Sequence, residues 1–219
     1  MKPERVTALY AALRAANPEP RSELEFSSPF ELLVAVILSA QATDKSVNIA
    51  TRRLYPQANT PAAILALGVA GLTPFIRHIG LFNAKAKNVI ECCRLLIERH
   101  GGQVPRDRQS LEALPGVGRK TANVVLNVAF GEPTLAVDTH VFRVANRTGL
   151  AHGATPLAVE QKLLEVTPPE FLQHAHHWLI LHGRHVCLAR TPRCHECVIA
   201  AHCAFRPKTR ASGAKPSKR

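Results

Sequence analysis

The residues best placed to do chemistry lie in Leu114-Pro115-Gly116-Val117-Gly118-Arg119-Lys120-Thr121-Ala122. Pro115 stops a preceding helix, and the glycines at 116 and 118 permit a tight turn with positive φ and a close approach of backbone to a ligand. From Arg119 onward Ala122, Val125, Leu126 and Ala129 recur at helical spacing, so the turn opens a helix. Such a helix start offers backbone N–H groups and a positive dipole end, a site for an anion. The amides of Gly116, Val117 and Gly118 are therefore expected to grip a phosphate, with Arg119 and Thr121 beside them. Lys120 sits in the first turn, where a cation is disfavoured. Such a lysine either contacts phosphate or is an amine whose pKa is pushed down for nucleophilic attack. Asp138, before Thr139 and His140, reads as an N-cap; a carboxylate held ionised by capping also suits stabilisation of developing positive charge.

A second constellation is Cys187, Cys194, Cys197 and Cys203, spaced C-x6-C-x2-C-x5-C. No apolar leader precedes the charged, proline-broken N-terminus, so an oxidising compartment is not expected and disulfides are disfavoured. Four thiols so close together then predict a metal site. Zinc and an iron–sulfur cluster both suit four thiolates, and the spacing does not choose between them. Cys92 and Cys93 sit among apolar residues of a helix and read as core. The histidines 174, 176, 177, 182 and 185 crowd the segment before the cysteine loop. Adjacent His176 and His177 cannot share a helix face, so these read as packing and surface residues.

The partner class follows from charge. With 28 Lys+Arg against 16 Asp+Glu, the net charge is +12, which favours nucleic acid over an anionic membrane. No 18-residue apolar run exists to cross a bilayer. From Cys187 to the C-terminus there are eight Lys/Arg and one Glu. The stretch 206–219 is basic and rich in Pro, Gly, Ser and Ala, and reads as a disordered tail adding sequence-independent affinity for nucleic acid.

The elements that must position these groups read as helices throughout. Val6 to Leu13 is a short amphipathic helix. Ser28-Pro29 is a cap followed by a first-turn proline, opening Phe30 to Ala42, which is apolar nearly all round and belongs at the centre of a helical domain. Further helices are expected over Val47–Leu54, Ala62–Leu67, Leu72–Ile79 and Ala84–His100, the last capped by Asn83. Others follow at Thr139–Arg147, Leu157–Val166 and Glu170–His185. Alternating β-pattern is absent, so the fold class is all-α with about ten helices.

These motifs, together with Leu38 to Asp44, Val137 to His140 and Trp178 to Gly183, resemble the endonuclease III family, bifunctional DNA glycosylases of the helix–hairpin–helix superfamily. The likeness spans roughly residues 1–205. It implies two helical domains flanking a DNA groove: a six-helix barrel with the helix–hairpin–helix over 22–132, and an iron–sulfur domain made of 1–21 with 133–205. It implies a [4Fe–4S] cluster on the four cysteines. The activity implied is base excision repair: removal of oxidised pyrimidines from duplex DNA by base flipping, then strand cleavage at the abasic site. Lys120 would be the Schiff-base nucleophile and Asp138 its acidic partner. Gln41 and Leu81 would fill the gap left by the flipped base, against readings as a helix cap and a core leucine. Asn83 and Lys85 would grip phosphate at a second turn, Gly80-Leu81-Phe82. Asp44 and His140 would line the pocket. The protein implied is monomeric, bacterial-type, cytoplasmic and nucleoid-associated. Two alternatives remain at this point. An adenine-mismatch glycosylase of the same superfamily would lack Lys120 and carry a carboxylate near Ser39-Ala40-Gln41. A non-catalytic hairpin module would hold a structural zinc.

Overall fold

The computed structural model describes residues 1–210. Among them are ten α-helices and a 3-10 turn, with no strand. The helices are α1 (Pro3–Ala16), α2 (Pro29–Ser39), α3 (Asp44–Leu54), α4 (Pro61–Ile76), α5 (Phe82–His100), α6 (Arg108–Glu112), α7 (Arg119–Phe130), α8 (Thr139–Thr148), α9 (Pro156–Val166) and α10 (Pro169–His185). The all-α reading therefore holds. The chain divides into two compact units, Ser22–Glu132 and Met1–Arg21 with Pro133–Arg219.

The 22–132 unit is built around α2. Ser28 Oγ accepts the Glu31 N–H at 3.1 Å, and Glu31 Oε2 accepts the Ser27 N–H at 2.6 Å. That reciprocal cap, with Pro29 in the first turn, fixes where the helix starts. Every residue from Phe30 to Leu38 is buried, because α3, α5 and α7 pack around it. The residues expected to form two helices at 62–67 and 72–79 lie in one element, α4, kinked at Gly68 with φ +63°.

In the other unit α1 is fastened to the C-terminal part of the chain. The Tyr10 ring stacks on Phe171 with centroids 5.5 Å apart, and its hydroxyl hydrogen-bonds Thr167 Oγ1 at 2.9 Å. The Trp178 indole N–H donates to the Asn17 carbonyl at 2.8 Å. Leu135, Val137, Val141, Val144, Val159, Leu163 and Leu179 complete this core. At Gly183 a Cβ would lie 2.9 Å from His140 Cβ, so α10 and α8 approach closely only because that position has no side chain.

One expectation is corrected here. Residues 206–210 are not a disordered tail. The Thr209 hydroxyl donates to the Pro192 carbonyl and accepts the Cys194 N–H at 3.0 Å, while Lys208 Nζ donates to the Cys203 carbonyl at 3.1 Å. This short stretch folds back over the cysteine loop because its polar groups find backbone partners there. The rest of the expected tail, 211–219, lies outside the described residues. His176, His177 and His182 are buried and His185 is exposed, in keeping with the reading of these histidines as packing and surface residues. Burial keeps His177 neutral, its pKa pushed down to about 4.

Tyr10→Ala removes the ring that joins α1 to α10. It is expected to cost about 3–5 kcal/mol, the usual loss for truncating a buried aromatic, measured by urea denaturation.

Candidate DNA-processing site and cysteine centre

The turn before α7 forms as its residue types demand. Gly116 has φ +80°, and a Cβ there would lie 3.1 Å from both Ile37 Cγ2 and Asn88 Cβ. Glycine is thus required twice over, for backbone sign and for space. The Val117 N–H donates to the Leu114 carbonyl at 3.1 Å and closes the turn, so this amide is engaged internally rather than offered to a phosphate. Gly118 is the N-cap of α7 with φ −95°, ordinary extended backbone, which corrects the expectation of positive φ there. Arg119, Lys120 and Thr121 occupy the first helical turn and are half-buried. The helix runs on through buried Ala122, Val124, Val125 and Leu126, so the Lys120 backbone is held by a core helix.

Gln41 and Leu81 are brought together by this unit although forty residues separate them in sequence. A Cβ on Gly80 would lie 3.7 Å from the Gln41 carbonyl oxygen. Both residues have positive φ, 53° for Gln41 and 61° for Leu81, and no other non-glycine residue among the described ones does. The core reading of Leu81 fails, since it is 60% exposed. An exposed leucine held left-handed costs roughly 1–2 kcal/mol relative to glycine. Its carbonyl accepts the Lys85 N–H at 3.0 Å, so the left-handed residue also opens α5. Leu81 is also the N-cap of α5, and exposed Asn83 lies inside the helix rather than capping it. The C-cap of α2 is Ala40, not Gln41. Asp44 is the first residue of α3 and is half-buried.

Lys85 departs from the expected phosphate contact. It is 4% exposed, and its Nζ is buried without a hydrogen-bond partner. Loss of hydration holds its pKa below the ordinary lysine value.

In the other unit Asp138 Oδ1 accepts the N–H groups of His140 and Val141, both at 2.8 Å. The capping reading is therefore correct. His176 Nδ1 donates to the Ala136 carbonyl at 2.8 Å and anchors the segment leading to Asp138, a contact with no local sequence signal. His140 Nδ1 faces the Arg143 guanidinium at 3.1 Å. Arg143 also donates to the carbonyls of Gly183 and Cys187 at 2.8 and 3.1 Å.

Cys187, Cys194, Cys197 and Cys203 are all free thiols lining one cavity, with His182, Arg147, Ile199 and Phe205 also in its wall. Burial, reinforced by the neighbouring cysteines, pushes the Cys197 thiol up to about 11. A Cys197 thiolate therefore needs a cationic partner to stay ionised. Among the described residues, no three His, Cys, Asp or Glu groups converge as a single ion requires. A single zinc ion and an iron–sulfur cluster both take four such sulfurs.

Comparison with known proteins agrees. Residues 34–169 match the family described as HhH-GPD superfamily base excision DNA repair protein, and 187–203 match the iron–sulfur binding domain of endonuclease III. Endonuclease III of Escherichia coli K12 is 64% identical over 196 residues, covering 90% of this chain and 93% of that one. The Rickettsia conorii enzyme is 55% identical, covering 94% and 98%. A structure of a trapped endonuclease III–DNA covalent intermediate superposes with TM-score 0.88 at 42% identity, covering 93% of this chain and 96% of that one. A thermostable thymine-DNA glycosylase, 24% identical with TM-score 0.80, shares the fold. The protein carries a [4Fe–4S] cluster, and the matched iron–sulfur segment 187–203 begins at Cys187 and ends at Cys203.

Lys85→Met is expected to stabilise the protein at pH 7 by about 1–3 kcal/mol, the cost of a buried unsatisfied group. Because the folded-state pKa is depressed, the native state binds fewer protons than the unfolded one, and wild-type stability recovers as pH rises through that pKa toward the unfolded value. The advantage of the methionine variant should therefore shrink as pH rises toward 10.5, followed by denaturant titration at each pH.

Proposed function

Since the chain belongs to the HhH-GPD superfamily of base excision DNA repair proteins, we propose that this DNA-binding glycosylase and abasic-site lyase excises oxidised pyrimidines from duplex DNA, with Lys120 as its nucleophile. The observation that carries this reading is the placement of Lys120, half-buried in the first turn of α7 behind the Leu114–Gly118 turn. The rival adenine-mismatch reading has no counterpart for that lysine.

A base stacked in a duplex is out of reach, so the target nucleotide is extruded. Gln41 and Leu81 fill the vacated space. Both are exposed and held in left-handed backbone that projects them from unit 22–132. Gly116, Gly118, Arg119 and Thr121 bear on the backbone phosphate at the lesion, and Asn83 on a neighbouring one. Lys85 acts there only if DNA opens its burial. Asp44 and His140 border the extruded base.

The neutral Lys120 amine attacks C1′ of the sugar. The new C–N bond forms as the glycosidic bond breaks, and the base leaves with that electron pair and takes a proton. Dipole and neighbouring Arg119 both favour loss of the ammonium proton. Ring opening gives a Schiff base. Loss of a C2′ proton then drives β-elimination, which breaks the C3′–O bond. Asp138, fixed by two amide donors through Oδ1, offers its carboxylate to the positive charge that builds on the sugar and to the proton transfers. Cys187, Cys194, Cys197 and Cys203 hold the cluster, which cross-links their loop; no step passes through it. No described helix is long and apolar enough to cross a membrane. A monomer working on nucleoid DNA in the cytoplasm completes the proposal.

Borohydride trapping on oxidised-pyrimidine duplex tests it. The parent protein should give a covalent adduct, and Lys120→Ala none. Failure of the parent to be trapped would sink the lysine mechanism. Asp138→Asn keeps a good N-cap; folding and DNA binding should persist while excision falls by about 100-fold or more. Equal losses of melting temperature and activity would reduce Asp138 to a cap.

A further inference from the structure

We propose that His182 and Arg147 donate hydrogen bonds to the cluster thiolates of Cys197 and Cys187, and that these two donors raise the reduction potential of the centre. His182 Nε2 lies 3.4 Å from Cys197 Sγ. Arg147 Nη1 lies 3.6 Å from Cys187 Sγ. Both side chains line the cysteine cavity. The inference rests on the four cysteines being the ligands; it does not depend on the glycosylase mechanism.

Each donor is fixed by contacts of its own. His182 is buried in the last turn of α10, and its carbonyl accepts the N–H groups of Val186 and Cys187 at 3.0 and 2.7 Å. Those bonds turn the chain from helix into cysteine loop, so ring and loop are set by one stretch of backbone. Arg147 donates to the carbonyls of Leu188 and Ala189 at 2.7 and 2.9 Å, and its guanidinium lies 5.1 Å from the centroid of the Phe205 ring. It is therefore in place whether or not a sulfur is charged.

The chemistry follows from the acceptor. A metal-bound thiolate only accepts, so the imidazole nitrogen facing it must carry the hydrogen, which specifies the Nε2–H tautomer of neutral His182. Arg147 keeps its proton at all accessible pH. Adding one electron to the centre makes its sulfurs more negative, and an N–H dipole aimed at a sulfur stabilises the reduced form more than the oxidised one. Hydrogen bonds to sulfur are among the levers that set such potentials, and groups behind the ligands are a usual place for them.

Film voltammetry of the cluster-loaded protein tests this. His182→Leu and Arg147→Met should each move the potential to more negative values at unchanged iron content. His182→Gln and Arg147→Lys, which keep a donor, should move it less. Potentials equal to the parent's in fully loaded variants would overturn the proposal. If the apolar variants lose the cluster, parent protein labelled with 15N at histidine decides the matter. A slowly exchanging Nε2–H resonance of His182 that shifts with oxidation state supports the donor role. An Nδ1–H tautomer overturns it.

Discussion

The start of α7 depends on one contact that only glycine can make. At Gly116 the chain turns with φ +80° where any Cβ would lie 3.1 Å from Ile37 on α2 and Asn88 on α5. The turn is thus seated on the most buried helix of its unit. Everything downstream inherits that rigidity: Gly118 as cap, Arg119 and Lys120 in the first turn, and the apolar face that keeps α7 in the core. A nucleophile must meet its target atom within a fraction of an ångström, and a helix anchored in a packed core supplies that better than a loop.

Set against this well-satisfied turn are three groups that folding alone does not explain. Gln41 and Leu81 hold left-handed backbone at the surface, and Lys85 buries an ammonium without a partner. They fall on neighbouring segments, the ends of α2 and the start of α5. Each costs on the order of 1 kcal/mol or more, in a molecule whose net stability is only several times that.

The cysteine loop solves a different problem. It lacks regular structure apart from the turn Ala200–His202, so its order comes from outside. Arg143 and Arg147 on α8 reach its carbonyls, Arg5 of α1 donates to the His202 carbonyl at 2.8 Å, and Thr209 and Lys208 close over it. Together with the cluster these bonds replace the helix ladder the loop does not have.

Much of this was legible in the residues themselves. The all-helical class followed from caps and periodicity, because Ser28-Pro29, Thr60-Pro61, Thr155-Pro156 and Asp138 act on their own next few residues. The glycine turn, the lysine after it and the four-cysteine spacing were equally local. Choosing a cluster over zinc required likeness to a family, since spacing says nothing about how far apart the sulfurs end. Tertiary structure alone placed Gln41 beside Gly80-Leu81, buried Lys85, engaged the Val117 amide, set His176 on Ala136 and aimed His182 at Cys197. It also folded 206–210 over the loop, where composition had suggested disorder. Sequence determined what each short segment could form, because helix starts, turns and metal spacings are short-range. Which distant segments met, and which polar groups lost water in meeting, was decided by packing, where partners lie tens of residues apart and leave no periodic trace.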